Sequence, residues 1–340
     1  MPDASPRDLV RRCLEGRAVE RVPVVLHFGP YAARLQQITY RQMCSDVTLF
    51  ANSLQSAQRL FNCDGLVLLA DPTVEAEACG CEIEWRDDSP VVASHPLAGA
   101  DGAFPALELP GLERRARLAT LLEAARRLAA VIGKDVALIP AVTGPATLAA
   151  QLRGPAFWTD LEGAPDVAYR AMEQSAQVTL QVARGYLDMG FEQLFISDPL
   201  LVRVDPAHYG AIASALGPLW NVAEFYDARI LLFSQVDHAA RVEQLIGIGA
   251  DGLVLEGDAL AGAAGGMAGG TAPRPGTGRR LLGVAVPARL LEMAPPDLGC
   301  ALDGWRAEAC PPGSLALCFT IPRSTPPETL HALVRFMRGT

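Results

Sequence analysis

Short aliphatic runs alternate with longer amphipathic runs along this chain of 340 residues. Eight runs have the length and aliphatic content of strands, namely 22–28, 65–70, 136–142, 193–197, 229–235, 252–256, 280–286 and 314–320. Six amphipathic runs have the spacing of helices, namely 40–61, 112–132, 165–189, 206–226, 238–248 and 326–337. Because strands that alternate with crossover helices form parallel sheets, this pattern predicts an α/β fold, a (β/α)8 TIM barrel in a single domain over 1–340.

Two segments interrupt this repeat. Residues 81–110 follow the second strand, are rich in Pro and contain only short extended pieces, so we expect an excursion over the barrel. Residues 257–278 consist mainly of Gly and Ala and have no helical period at the place of the sixth crossover helix. A flexible surface loop is a better interpretation of this tract than a catalytic lid.

Composition and charge exclude two classes of partner. The formal net charge is -9 and the sequence pI is near 5.1, without the clustered Lys and Arg that bind phosphate backbones, so no nucleic acid partner is expected. The sequence contains no run of about 18 consecutive apolar residues, so no membrane span is expected. The first residues lack the basic-then-apolar order of a signal peptide, so we expect a cytoplasmic protein. The eight cysteines are scattered, which argues against a disulfide framework.

Polar residues follow the first two predicted strands, where barrel enzymes place their chemistry. His27 ends the first strand and Asp71 ends the second, so both are candidate catalytic residues. Glu75 and Glu77 follow Asp71, but side chains two apart on a helix do not share a face, so at most one of them can join that carboxylate. Glu75 lies one helical turn after Asp71 and is the better candidate. Two structural alternatives stay open: His27 is a buried, hydrogen-bonded residue, or Asp71 caps the helix that begins at Pro72.

The end of the fifth predicted strand decides whether a metal can be held at the mouth. Alternate side chains of a strand share a face, so Leu232 and Ser234 are expected to point together into the mouth. Ser234 and Gln235 are candidate substrate-binding residues. Ser197 and Asp198 form a second polar pair, after the fourth strand.

Four segments occur in a recognisable order. They are 31–80, with a helix, an Asp-Gly strand and an acidic D-x-x-x-E-x-E turn, 143–154 (TGPATLAAQLRG), 196–210 (ISDPLLVRVDPAHYG) and 321–334 (IPRSTPPETLHALV). Together they resemble the uroporphyrinogen decarboxylase superfamily, and the chain is most similar to its branch of methylcobalamin:coenzyme M and other corrinoid-linked methyltransferases. The resemblance implies the barrel fold and a corrinoid or another tetrapyrrole as ligand.

Zinc methyltransferases of this branch carry His-x-Cys at the end of strand five and a further Cys just before the Ile-Pro of strand eight. The first motif falls here on Leu232-Phe233-Ser234. The last Cys position falls on Phe319. Leu and Phe offer no ligand atom and Ser is a poor ligand, so the comparison implies a degenerate metal site without zinc. Cys318 could replace the lost Cys only if the strand slipped by one residue, and we keep it as a candidate substrate-binding residue.

Decarboxylases of the superfamily use an Asp after strand two, an Arg-rich segment after strand one and a His near strand eight. Asp71 matches the Asp, whereas the His position falls on Phe319. Tyr31 and Arg34 lie where the Arg-rich segment would be, and both are candidate substrate-binding residues. Because a tetrapyrrole with eight carboxylates needs several cations around it, uroporphyrinogen decarboxylation is the weaker enzyme alternative.

The expected function is that of a diverged corrinoid-linked methyltransferase-like enzyme that acts at the C-terminal mouth of the barrel. Methylcobalamin is the expected methyl donor, and the partners are a small molecule, a tetrapyrrole or a corrinoid protein. Two alternatives stay open: a uroporphyrinogen-decarboxylase-like enzyme, and a non-catalytic protein that binds a corrinoid, a tetrapyrrole or another protein. A homodimer is expected by analogy with both branches.

Overall fold

The computed structural model describes residues 5–99, 105–236, 240–256, 280–309 and 315–339. Within these ranges the strands are β1 (Val24–Leu26), β2 (Gly65–Leu68), β3 (Ile83–Arg86), β4 (Ser89–Val92), β5 (Ala137–Thr143), β6 (Gln193–Ser197), β7 (Arg229–Gln235), β8 (Gly252–Glu256), β9 (Arg280–Ala285) and β10 (Leu315–Cys318). All of them except β3 and β4 pair in parallel and close into a barrel in the order β1-β2-β5-β6-β7-β8-β9-β10, with β10 beside β1. The predicted (β/α)8 barrel is confirmed.

Helices separate the barrel strands. In the same ranges they are α1 (Pro6–Leu14), α2 (Pro30–Leu35), α3 (Tyr40–Ser45), α4 (Val47–Phe61), α5 (Val74–Ala78), α6 (Ala116–Ile132), α7 (Pro145–Arg153), α8 (Ala156–Gly163), α9 (Pro165–Asp188), α10 (Tyr209–Phe225), α11 (Ala240–Ile246), α12 (Pro295–Ala309) and α13 (Pro327–Arg338). None of the helices in the described part of the chain is long and apolar enough to cross a membrane.

Local sequence sets the helix boundaries between β1 and β2. Thr39 and Gln42 form a capping box at the start of α3. Asp46 has an extended backbone, and its side chain accepts a 2.8 Å hydrogen bond from the backbone N–H of Leu49, so it caps α4. The single helix predicted over 40–61 is therefore two helices, because a capping residue interrupts it.

Alternate residues of the barrel strands belong to two separate apolar layers. The inner layer fills the barrel and contains Phe233 of β7 and Phe319, which follows β10. The outer layer lies between the strands and the surrounding helices and contains Leu232 and Cys318. The side chains that reach the mouth of the barrel are therefore those in register with Phe233 and Phe319.

The two ends of the barrel are built differently. At the N-terminal end of the strands, α1 contributes Val10, Cys13 and Leu14 to the inner layer and fills the opening. At the other end, the antiparallel β3–β4 hairpin lies within the predicted excursion, between α5 and α6 in the chain. The Gly- and Ala-rich loop predicted over 257–278 lies outside the described residues.

Candidate active site

A cavity of about 360 Å³ opens at the C-terminal ends of the barrel strands. Residues at or just after the ends of β1, β2, β6, β7, β8 and β10 line it, together with the first residues of α2, α3 and β4. The lining residues are His27, Phe28, Pro30, Tyr40, Leu69, Ala70, Asp71, Pro72, Thr73, Ser89, Pro90, Ser197, Pro199, Phe233, Gln235, Glu256, Phe319, Thr320 and Ile321. Since small-molecule pockets span roughly 300–1,000 Å³, this cavity suits a small ligand.

A second cavity, of about 530 Å³, lies at the opposite end of the barrel, between α1 and the start of β7. Charged residues of both signs line it, and two of them, Arg11 and Glu15, are paired with each other at 3.0 Å. Barrel enzymes carry their chemistry at the C-terminal ends of the strands, so the cavity at the mouth is the candidate site.

Two stacked phenyl rings lie where the barrel interior meets the cavity. The ring centroids of Phe233 and Phe319 are 3.7 Å apart, with an angle of 11° between the planes. The expectation that Leu232 and Ser234 point into the mouth is therefore wrong. Leu232 packs in the outer layer, and Ser234 is buried and donates a 3.0 Å hydrogen bond to the carbonyl of Gln235. Neighbouring side chains of a strand lie on opposite faces. In β7 the side chains that face the mouth are Phe233 and Gln235, one residue on from the predicted pair.

Cys318 follows the same rule as Leu232. It belongs to the outer layer, and burial raises the pKa of its thiol. It does not line the cavity, whereas its neighbour Phe319 does. The structure therefore places Cys318 away from the described cavity lining, and its expected role in substrate binding stays a prediction.

His27 is held between two backbone carbonyls. Its Nδ1 lies 2.8 Å from the carbonyl oxygen of Phe319, and its Nε2 lies 3.0 Å from that of Leu69. A neutral imidazole donates one hydrogen bond and the imidazolium donates two. Burial lowers the pKa of His27, while the two carbonyl contacts oppose that shift. The ring ties the end of β1 to the segments that follow β2 and β10.

Asp71 is buried and takes part in an ion network at the edge of the cavity. One carboxylate oxygen accepts hydrogen bonds from the hydroxyl and, at 2.9 Å, the backbone N–H of Thr73, and the other accepts from Arg117. Arg117 also donates to Glu77 at 2.7 Å and to the Thr73 hydroxyl at 2.8 Å. Its guanidinium lies 5.2 Å from the centre of the Trp85 ring in the hairpin. Both oxygens of Asp71 are therefore occupied.

Glu75 lies outside the cavity. Its two oxygens accept hydrogen bonds from the backbone N–H of Thr143 at 3.0 Å and from the Thr143 hydroxyl at 2.7 Å, and burial raises its pKa. The expectation that Glu75 joins Asp71 is wrong, because Glu77 shares Arg117 with that carboxylate. Glu75 connects α5 to β5.

Arg117 was not singled out from the sequence, although α6 carries a signal for it. The apolar face of this helix includes Leu121 and Leu128, which lie at helical spacing from Arg117. A charged residue at a position of the buried face indicates a buried ion pair, since unpaired charges are rarely buried.

Ser197 and Asp198 have separate environments. Ser197 lines the cavity, whereas Asp198 does not. Asp198 accepts hydrogen bonds from the backbone N–H groups of Ala146 at 3.1 Å and Thr147 at 2.8 Å and from the Thr147 hydroxyl at 2.6 Å, so it satisfies the N-terminus of α7. Burial raises the pKa of Asp198 to about 6, and these hydrogen bonds oppose the shift. Asp198 therefore lies outside the described cavity lining, in a structural contact with α7, and its expected role in substrate binding stays a prediction.

Gln235 is the last residue of β7 and Glu256 is the last residue of β8, and together they form a polar side of the mouth. The side-chain amide of Gln235 donates a 3.2 Å hydrogen bond to the carboxylate of Glu256, and both residues line the cavity. Glu256 was not singled out from the sequence. Its signal is an acidic residue directly after four buried residues of a barrel strand.

Two further candidates lie away from the cavity lining. Tyr31 is buried and stacks near Phe28, with ring centroids 6.5 Å apart. Arg34 donates hydrogen bonds to the backbone carbonyls of Arg323 at 2.5 Å and Thr325 at 2.8 Å. The structure therefore assigns both to the packing of α2 against neighbouring elements.

The described residues of the mouth do not fit the zinc site of the resembling methyltransferases. Phe233 and Gln235 enter the cavity from β7, and Phe319 enters it after β10. None of the three offers a thiolate or an imidazole. Across the residues that the structure describes, no group of three or more His, Cys, Asp or Glu side chains is arranged to hold a metal ion.

The fold and the cavity define a class of protein: a parallel (β/α)8 barrel with a small pocket at its C-terminal mouth. The chain matches the uroporphyrinogen decarboxylase (URO-D) family over residues 5–340. It belongs to that family. The resemblance inferred from the sequence is therefore confirmed.

The proteins that the chain is similar to include methyltransferases and decarboxylases. The chain is 22% identical over 204 residues to the methylcobamide:CoM methyltransferase MtbA of Methanosarcina mazei, which covers 58% of this chain and 60% of the relative. It is 28% identical over 210 residues to a uroporphyrinogen decarboxylase of a Mycobacterium species, with 58% of each chain covered. The chain thus spans less than two thirds of these relatives.

A solved structure shares the whole fold. It is described as a methyltransferase from Methanosarcina mazei, superposes with a TM-score of 0.80 and is 21% identical, with 99% of both chains covered. This likeness confirms the barrel architecture.

Proposed function

We propose that this chain is a diverged, corrinoid-linked methyltransferase-like enzyme that acts at the C-terminal mouth of its barrel without zinc. The observation that carries the proposal is the identity of the three residues that enter the mouth from β7 and after β10, Phe233, Gln235 and Phe319. A metal at the mouth must be held by residues that face it. The names of the methyltransferase relatives support a methylcobamide as the methyl donor.

The size of the cavity assigns different places to donor and acceptor. A corrinoid is much larger than about 360 Å³, so in this proposal the methyl acceptor, and not the corrinoid ring, occupies the cavity. Zinc would lower the pKa of an acceptor thiol, and without it another group must accept the proton. An acceptor that carries no acidic proton is the alternative.

Three residues of the lining are candidates for the base that takes a proton from the acceptor, namely Asp71, His27 and Glu256. Asp71 and His27 can serve as bases only after they release contacts to Arg117 and to the backbone carbonyls, respectively. Glu256 needs no such change, because among the described residues its carboxylate has one hydrogen-bond donor, Gln235, and it lies at the cavity wall. We therefore propose Glu256 as the base, with Gln235 and Ser197 as residues that position the acceptor.

The decarboxylase alternative has less support from the cavity. No Lys or Arg occurs among the described lining residues. A buried carboxylate without a cation costs several kcal/mol, so a substrate with eight carboxylates has no partners in this part of the mouth.

The test is a methyl-transfer assay with metal analysis on the same preparation. Purified protein is mixed with methylcobalamin and a panel of thiol and amine acceptors, and demethylation is followed by the absorbance of the corrinoid. We expect turnover that a chelator does not reduce, and a loss of about a hundredfold or more in Glu256→Gln if that residue is the base. The exposed residue Glu224 on α10 gives the matched control, Glu224→Gln, which should keep wild-type activity.

Each other outcome identifies a different function. Turnover that is abolished by a chelator and restored by zinc contradicts the zinc-free proposal. Consumption of uroporphyrinogen supports the decarboxylase. Binding of methylcobalamin without turnover by any acceptor supports a non-catalytic protein.

A further inference from the structure

The described lining of the mouth cavity is asymmetric in charge. It contains the carboxylates of Asp71 and Glu256 and no Lys or Arg. Arg117 lies behind Asp71 and is shared with Glu77, so these two carboxylates and one guanidinium keep one negative charge. Glu256 adds a second negative charge, and burial lowers the pKa of His27, which favours its neutral form.

Two described arginines, one in α2 and one in the segment after β10, have their partners outside the cavity lining. Arg34 donates to two backbone carbonyls, of Arg323 and Thr325. Arg323 is paired with Asp88 at 3.2 Å and donates to its carbonyl at 2.8 Å. Neither arginine lines the cavity. The part of the mouth that the structure describes therefore presents negative potential to a bound molecule.

Aromatic carbon forms much of the remaining wall. Phe28, Tyr40, Phe233 and Phe319 line the cavity. The hydroxyl of Tyr40 donates to the carbonyl of Ala70, so this polar atom is already paired. Apolar walls, negative charge and a volume of about 360 Å³ favour a small cation whose charge is surrounded by apolar groups.

We infer that the mouth cavity binds a small methylated ammonium compound, with its methyl groups against the aromatic wall and its charge near Glu256. Methylated ammonium groups are recognised by aromatic side chains and by carboxylates, because they combine apolar surface with a positive charge. The inference rests on the proposed function only in that this cavity is the substrate site. It names the class of acceptor, a partly methylated amine that binds as its ammonium ion and must lose its proton to Glu256 before its nitrogen can take a methyl group. Choline, which is fully methylated at nitrogen, is a probe of binding alone.

The test uses choline as the probe and 3,3-dimethyl-1-butanol as its neutral isostere, with binding measured by isothermal titration calorimetry on the full chain. We expect choline to bind at least about tenfold more tightly than the isostere. Glu256→Gln should reduce the affinity for choline about tenfold and leave that for the isostere unchanged, since only the charge of the wall is altered. Glu224→Gln, which removes an exposed carboxylate away from the cavity, should bind choline like the wild type.

Several results overturn the inference. They are equal affinity for choline and its isostere, tighter binding of succinate than of choline, and unchanged choline binding in Glu256→Gln when circular dichroism shows that the variant is folded. The calorimetry needs no turnover, so it separates this inference from the proposed function. Choline binding without methyl transfer leaves the inference standing and rejects the function, and methyl transfer without choline binding does the reverse.

Discussion

The guanidinium of Arg117 lies between the carboxylates of Asp71 and Glu77. This ion network keeps charged groups buried beside the mouth. Its side chain is 7% exposed and that of Asp71 is 8% exposed. At such burial the partners cannot be solvated by water once they are separated. Asp198 is a second buried carboxylate, but its partners are neutral N–H and O–H groups. The two residues therefore differ in how substitution and pH affect stability.

We expect Arg117→Met to destabilise the fold by about 3–5 kcal/mol, because it leaves the buried carboxylate of Asp71 without its cation. Chemical denaturation gives the free energy of unfolding. The matched control is Arg126→Met on the same helix, where the exposed side chain pairs with Glu123 at the surface. This control should change stability little. Equal losses in the two variants would contradict a buried ion network at the mouth.

Asp198 should make stability depend on pH. Its pKa is about 6 in the folded protein and ordinarily 3.8, so protonation is favoured in the folded state. Its contribution is fully present below the ordinary pKa and is lost as the pH rises through about 6. Relative to Asp198→Asn, which cannot titrate, the wild type should gain on the order of 1 kcal/mol between pH 8 and pH 5.

The measurement is the difference in unfolding free energy between the wild type and Asp198→Asn at each pH. This difference cancels the contribution of His27, whose pKa is lowered by burial and whose stabilisation is lost as the pH falls below its ordinary 6.5. A difference that stays constant from pH 8 to pH 5 would show that Asp198 does not titrate in this range.

At the scale of the element, β7 shows why a sequence can predict the position of a strand and yet not predict which of its side chains face the barrel axis. Ile230 to Ser234 are all buried, so this strand has no alternation of apolar and polar residues. Strands buried on both faces read as continuous apolar runs. Such a run predicts a strand and its length, and the range 229–235 is confirmed, but it contains no signal for which residues face the barrel axis. The assignment of Leu232 and Ser234 to the mouth failed for this reason.

Gly283 in β9 allows two strands of the barrel to approach closely. It lies opposite Leu315 of β10, and a Cβ at Gly283 would lie 2.2 Å from the Leu315 carbonyl oxygen. Since backbone must move to relieve this contact, we expect Gly283→Ala to destabilise the fold by about 1–3 kcal/mol. In α9, a Cβ at Gly185 meets nothing within 4 Å, so Gly185→Ala should stabilise by about 0.5–1 kcal/mol. Thermal unfolding compares the two, and similar effects of both substitutions would contradict the close approach.

At the scale of the whole molecule, the barrel could be predicted because its signal is distributed along the chain. The prediction of a barrel rests on eight strands in the right order, so an error in the placement of one strand does not change the predicted fold. The candidate site has no such redundancy. Asp71, His27, Ser197 and Gln235 lie at the mouth as expected from strand ends, whereas Glu75 and five substrate-binding candidates do not line it. Which of two neighbouring side chains faces the mouth depends on barrel closure and on partners distant in sequence, such as Arg117 for Asp71.

The register of the barrel itself can be tested by building the zinc site of the resembling methyltransferases into it. F233H/Q235C/F319C puts an imidazole and two thiols on the side chains that enter the mouth. We expect this variant to bind about one zinc per chain, because three protein ligands and a water satisfy a tetrahedral site. L232H/S234C with the native Cys318 has the same ligand types shifted by one residue. Leu232 and Cys318 pack in the outer layer and Ser234 is buried outside the described cavity lining, so this variant should bind no zinc at the mouth. Both variants are dialysed against zinc and then freed of excess metal, their folding is checked by circular dichroism, and their zinc is measured by mass spectrometry. Zinc bound stoichiometrically by the shifted variant alone would reverse the register and restore Leu232 and Ser234 to the mouth.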